Sequence, residues 1–323
     1  MPRTLLIGIV MIAVVGLSPQ ASPAVPQPDA RLKGAYRKPA ENGWTLAHLQ
    51  GTPAEIGFQH GYLLASEIAD TLAVVQLESR QDNAREWPFF RDAANRMMWP
   101  KIEQEYRDEL QAIADGARAK SAKLDLWDVA ALNAFLEWGY YVKALDKQQG
   151  KKDGALPGVA EHCSAFVATG SYTTDGKAVI AHNNWSHYLD GTRWLIVFDI
   201  VPARGHRILM DGMAGLIHSG DDFGINDAGI AITETTIGGF AGFDTNGIPE
   251  FVRARKAMQY AESIDDFARI MKDGNNGGYA NDWLIADTRK NEIAHLELGL
   301  KHVTLERTTD GYFVGANFPK NSG

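Results

Sequence analysis

Glu161-His162-Cys163-Ser164-Ala165-Phe166-Val167-Ala168, with Ala181-His182-Asn183-Asn184-Trp185 soon after, is the stretch that decides how this chain folds and what it can do. It holds the only cysteine among 323 residues. Ser164 to Thr169 reads as a short strand. Thr174-Asp175-Gly176-Lys177 carries an Asp-Gly hairpin signal, and Ala178 to His182 reads as the returning strand. A hairpin brings its outer ends together, so His182, Asn183 and Asn184 are expected beside Cys163.

That placement has a chemical reading. A thiolate is a strong nucleophile, but a free cysteine is mostly protonated near neutral pH and needs a base. One solution is a histidine, here His182, oriented by a third polar group. Another is the α-amine of the cysteine itself, freed by a cut between His162 and Cys163. An α-amine titrates near ~8, close to what a general base requires. Side chains of Asn183 and Asn184, or backbone N–H groups beside them, would hold an oxyanion. Against this stands the ordinary role of a lone cysteine as a small buried hydrophobe.

The segment ahead of the hairpin fits a cut. Lys147 to Gly158 is polar and rich in Gly and Pro, as an exposed loop is. Further out, Arg3, the apolar run Leu5 to Leu17 and Ala21-Ser22-Pro23-Ala24 read as a signal peptide over residues 1–24. The run is short for a membrane span, which needs ~20 residues. Residues 25–42 read as a flexible lead-in, and 43–323 as a single domain. Export to a secreted or periplasmic location normally favours disulfides, and one cysteine allows none within the chain. An unpaired thiol there calls for a reason, which catalysis supplies.

Composition is that of a globular protein, 45% hydrophobic and 22% charged. A net charge of −8 with no basic patch argues against a nucleic-acid partner. No Gly-x-Ser-x-Gly elbow, P-loop or dinucleotide motif occurs, and the spacing of His182, His187 and Asp190 matches no common zinc motif. Neither a metal nor an organic cofactor is expected.

Gly43 to Leu49 reads as a strand. Thr52-Pro53-Ala54-Glu55 is a capped helix start, with a helix expected to about Leu77. Gly57 and Gly61 share one helical face, which suits close packing. His60 reads as structural. Glu86 to Ala119 reads as helix interrupted at Pro88 and Pro100. A helix capped by Asp125 is expected to run through Tyr140. After Cys163 the pattern turns to strands: Trp194 to Val201, Arg207 to Asp211, Gly215 to His218 and Ile230 to Thr236. Helices over Pro249 to Ala261 and from Ser263 to Met271 precede a late strand series, Trp283–Asp287, Glu292–Leu298, His302–Arg307 and Tyr312–Gly315. Helices and strands grouped this way imply an α+β class rather than alternating βαβ units.

His162-Cys163-Ser164-Ala165 and His182-Asn183-Asn184-Trp185-Ser186-His187-Tyr188 together resemble the phospholipase B-like family and the wider cysteine N-terminal nucleophile (Ntn) hydrolases, including peptidase family C45. Ile232-Thr233-Glu234-Thr235-Thr236, Gly277-Gly278-Tyr279-Ala280-Asn281-Asp282-Trp283 and Gly51-Thr52-Pro53-Ala54-Glu55-Ile56-Gly57 agree. Asn184 departs from the family pattern, which has Thr there. The resemblance implies a four-layer αββα sandwich, an oxyanion role for Asn281, and a substrate-binding region at Trp185, Glu234, Thr235 and Asp282. The families generally continue past Asn321-Ser322-Gly323, so a C-terminally truncated sandwich is an expectation. The function implied is an exported hydrolase of acyl esters or linear amides, a small molecule or a lipid. The alternatives are a C45-like acyltransferase or peptidase, and a non-catalytic lipid-binding protein on the same scaffold. Oligomeric state is not readable.

Overall fold

The computed structural model describes residues 29–150, 163–221, 223–240 and 242–320. The expected signal peptide and His162, on one side of the expected cut, lie outside them. In chain order come β1 (Tyr36–Arg37), β2 (Thr45–Gly51), α1 (Pro53–Leu63), α2 (Ala65–Asn83), α3 (Trp87–Ala93), α4 (Gln104–Ala119), α5 (Leu126–Asn133) and α6 (Trp138–Gln148). The hairpin β3 (Ser164–Thr169) and β4 (Val179–Asn183) follows, then the single turn α7 (Tyr188–Gly191). The rest is β5 (Ile196–Pro202), β6 (Ile208–Gly212), β7 (Gly224–Asn226), β8 (Ile230–Thr236), α8 (Glu250–Tyr260), α9 (Ile264–Lys272), β9 (Asn281–Asp287), β10 (Glu292–Leu298), β11 (Val303–Thr308) and β12 (Gly311–Ala316).

Nine strands form one sheet in the order β1-β2-β5-β6-β7-β8-β9-β10-β11, antiparallel except where β2 runs parallel to β5. Three strands form a second, antiparallel sheet in the order β12-β3-β4. Strand alternation sorts the residues between two cores. Ile230, Ile232, Trp283, Ile285 and Leu296 face the helices. Ala231, Leu284, Ala286 and Ile293 face the small sheet, meeting Ala165 and Val167. The α+β class is as expected, and helix, sheet and sheet stack in the expected order. The described residues fill three of the four layers. On the outer face of the small sheet, Phe166, Tyr312 and Val314 are 42%, 57% and 50% exposed.

Local chemistry explains the helices. Thr52 and Glu55 close a capping box at the start of α1, and Asp125 and Asp128 do so for α5. The helix expected to reach Leu77 is broken at Leu64, whose ψ is 24°. Pro88 opens α3 and Pro100 opens a 3-10 turn, with a π-helical turn at Ala94–Met98 between them. Gly57 and Gly61 do serve close packing: a Cβ on Gly57 would lie 2.1 Å from Glu109 O, and one on Gly61 would lie 2.0 Å from Ile113 O. α1 and α4 therefore touch backbone to backbone.

Three expectations need correction. The lead-in is not loose over its described part: Tyr36–Arg37 pairs with β2, and Arg31 stacks 3.4 Å over the Phe58 ring. The helix expected from Asp125 through Tyr140 is split by a 3-10 turn at Phe135–Glu137. Just before that turn, the Asn133 side chain donates to Val129 O and Gly215 O. Gly215 to His218 is not a strand. Two of its backbone N–H groups go to side chains, Gly215 N–H donating to His60 Nε2 at 2.8 Å and Ile217 N–H to Asn133 Oδ1 at 2.8 Å. Burial holds His60 neutral, its pKa lowered to about 3 with help from Arg255, so it can accept that bond.

Candidate active site

The register of the hairpin places Cys163. Ser164 pairs with both Asn183 and Ala316, so Cys163 and Asn184 extend side by side from the ends of paired strands. Cys163 Sγ lies 3.8 Å from Asn184 Oδ1 and 3.9 Å from Trp185 O, and Trp185 N–H donates to it at 3.5 Å. The Asn184 amide donates from Nδ2 to Asp221 Oδ2 at 3.1 Å. The Ser219 hydroxyl in turn sits 2.7 Å from Asp221 Oδ1 and 2.9 Å from Asp211 Oδ1. A carboxylate only accepts, so Asp221 fixes the amide and turns its carbonyl toward the thiol.

This changes the chemistry assigned to Asn184. It presents an acceptor to the sulfur, suited to holding a thiol or ammonium proton, where an oxyanion needs a donor. The donor beside Sγ is the Trp185 backbone N–H. Asn183 is turned the other way by strand alternation, and its Nδ2 donates to Ser164 Oγ at 3.3 Å on an exposed face. His182 lines a second cavity with Asp211 and Asp221. Burial lowers its pKa, and Asp221 opposes that shift. It is therefore held toward the neutral form, on the Asp221 side of the site.

The residues expected farther along the chain divide. Trp185 is 63% exposed and lines the cavity that contains Cys163. Glu234 is buried and accepts from Tyr279 Oη at 3.0 Å, one step behind that cavity's wall. Thr235 points between the sheets, against Gly315. Asn281 is fully buried and outside the lining of both cavities. Asp282 is buried between the sheets with His295 and Glu297. One ligand atom from each of these three lies within 4.8 Å of the others, a set that could hold a metal. Lys320 sits over it, its Nζ 3.3 Å from Asp282 and its N–H donating to Glu297 at 2.7 Å. The protein thus supplies its own cation there.

Several site residues escaped the sequence reading. The cavity at Cys163 has a volume of about 460 Å³ and takes Thr236 and Tyr279 into its wall. Tyr279 adopts φ 53°, uncommon for a residue with a Cβ. Its loop is braced by Asn276, whose Nδ2 donates to buried Glu137 and whose Oδ1 accepts from Gly278 N–H at 3.0 Å. A Cβ on Gly278 would come within 2.5 Å of Glu137 Oε2, so the glycine pair before Tyr279 was the available signal. Part of the lining is acidic. Glu78 and Asp82 of α2 and Asp190 of α7 form it. The Glu78 carboxyl is pushed up to about 7, first by burial, then by Asp190 and Asp82, with Arg193 opposing. Asp82 is also raised, chiefly by burial.

Several known proteins are similar to this chain. The phospholipase B family model matches residues 78–305. An uncharacterized protein of Archaeoglobus fulgidus is 27% identical over 251 residues, covering 73% of this chain and 40% of that protein. Phospholipase B of Crotalus adamanteus is 25% identical, covering 72% and 48%. The 40 kDa form of acyl-coenzyme A:6-aminopenicillanic-acid-acyltransferase of Emericella nidulans is 24% identical, covering 70% and 56%. The chain thus spans between two fifths and three fifths of the length of these three relatives. Among solved structures, a variant of conjugated bile acid hydrolase from Clostridium perfringens aligns at 9% identity with a TM-score of 0.25, covering 48% of this chain and 45% of that one.

Proposed function

The chain belongs to the phospholipase B family, and from that premise we propose that it is an exported acyl hydrolase acting through Cys163. Its substrates are carboxylic esters or linear amides, small or lipid-like. The observation that carries the reading is the environment of Sγ: a backbone N–H at 3.5 Å, an amide carbonyl locked by Asp221, and a cavity opening beside it.

The chemistry has two stages. First, Cys163 Sγ attacks the carbonyl carbon of residue 162 and the C–N bond breaks, which frees the α-amine and leaves the upstream chain as a thioester; water then hydrolyses that thioester, releasing the upstream chain as a carboxylic acid and freeing the thiol. That amine then takes the thiol proton, and Sγ attacks the substrate carbonyl. The leaving alcohol or amine receives the proton, and water releases the acid from the thioester. Trp185 N–H is suited to the developing negative charge, and Asn184 Oδ1 to the ammonium. No step requires a metal or organic cofactor. Among the described residues, no helix is long and apolar enough to cross a membrane.

Replacing Cys163 with Ala tests this. The variant should stay uncut and hydrolyse neither ester nor amide. A cut Cys163→Ala chain, or one that still turns over, would overturn the reading. The similarity to an acyltransferase supports a second acceptor, an amine in place of water. Transfer products on adding free amines would establish it, and binding of acyl compounds without turnover would instead favour a non-catalytic protein.

A further inference from the structure

The lining of the cavity at Cys163 includes acceptor oxygens that the described residues leave without donors. Glu78 is 8% exposed and Asn83 is 7% exposed, and both line the cavity. Among the described residues, neither Glu78 Oε1 nor Asn83 Oδ1 has a hydrogen-bond partner. Buried acceptors are costly when unpaired, so two in one cavity lining call for a donor from outside. Asp82 and Asp190 add negative charge to the same lining.

One nearby cation, Arg193, is held by other groups. Arg193 pairs with Asp70 at 2.8 Å and donates to Leu189 O. His187 lies toward Asp82, and Lys143 is an exposed residue on the cavity lining. Aromatic rings complete the walls as two pairs, Phe135 with Trp194 at 6.1 Å and Tyr140 with Phe240 at 6.2 Å. Ring faces attract cations and give nothing to anions.

We propose that this cavity holds a subsite for a positively charged headgroup, so that the acyl compounds it takes carry a protonated amine. The ammonium N–H groups satisfy Glu78 and Asn83, and its charge relieves the crowding of Glu78, Asp82 and Asp190. A free phosphate or carboxylate headgroup is disfavoured by the same lining. The inference deepens the acyl-hydrolase reading and rests on it only for the acyl part of the ligand.

Calorimetric binding to the full-length Cys163→Ala protein tests it. The probes are N-(ω-aminoalkyl)hexanamides of increasing spacer length. Each is paired with the N-alkylhexanamide in which a methyl replaces the ammonium. At pH ~8 the charged member should bind about tenfold tighter at its best spacer. Adding Glu78→Gln and Asp82→Asn should bring that ratio near one, while affinity for the uncharged twin stays unchanged and shows the fold intact. A ratio of one or below at every spacer, a preference that survives the double substitution, or no binding of any probe overturns the proposal. Turnover by the unsubstituted protein separates the two readings. Hydrolysis of charged and uncharged amides alike leaves the acyl hydrolase standing without the subsite. A charge preference with no hydrolysis leaves the subsite standing without the hydrolase.

Discussion

Where α1 meets α4, glycines let two backbones touch, and a single added methyl would lie 2.0 Å from a carbonyl oxygen. Where the small sheet carries Cys163, Phe166 and Val314 stand about half exposed, and the thiol sits at a strand end beside a cavity. The first region is packed on every side, and its residues answer to stability. The second is packed on one face only, and its residues are free to answer to chemistry. The difference teaches where to look for each kind of effect.

Substitutions can break or sharpen that contrast. The largest effect is expected at Cys163: Cys163→Ala should lower turnover at least ~10³-fold while moving the thermal midpoint little. A large loss of stability there would erase the distinction. Next, Gly61→Ala must push α1 off α4 and should cost about 3 kcal/mol, read as a lowered midpoint in thermal unfolding. Activity per folded molecule should stay near normal.

Glu78 gives a smaller, pH-dependent effect. Its carboxyl is raised to about 7 in the folded protein from an ordinary 4.5. Between those values the folded state holds a proton that the unfolded state has lost, so stability falls as pH rises through that window and levels off above about 7. Glu78→Gln removes this slope. It should match the parent at pH ~4.5 and exceed it at pH ~8 by about 1 kcal/mol, a fraction of the full linkage because the cavity keeps water near the group. Denaturant titrations at both pH values check the sign. The smallest effect belongs to the open face: Val314→Thr should change stability by less than ~0.5 kcal/mol.

The same contrast explains what could be read in the chain. β8 and β10 begin and end where they were expected, and α1 and α5 start at their caps, because those signals are local. The segment Gly215 to His218 misled because two of its backbone N–H groups go to His60 and Asn133, which the fold supplies from far away in the chain. At the site, the hairpin placed Cys163 beside Asn184 but could not show that Asp221 would turn the amide around. Asn183 and Asn184 are neighbours in sequence and point oppositely, which only register reveals. Glu78 and Asp82 lie past the expected helix end at Leu77, and only the fold puts them in one cavity lining with residues of α6 and α7.

The most direct test of the central claim is the intact mass and N-terminal sequence of the purified protein. The account predicts two fragments whose junction is His162–Cys163, the second beginning with a free Cys163. A single uncut chain that nevertheless hydrolyses acyl esters or amides would contradict it.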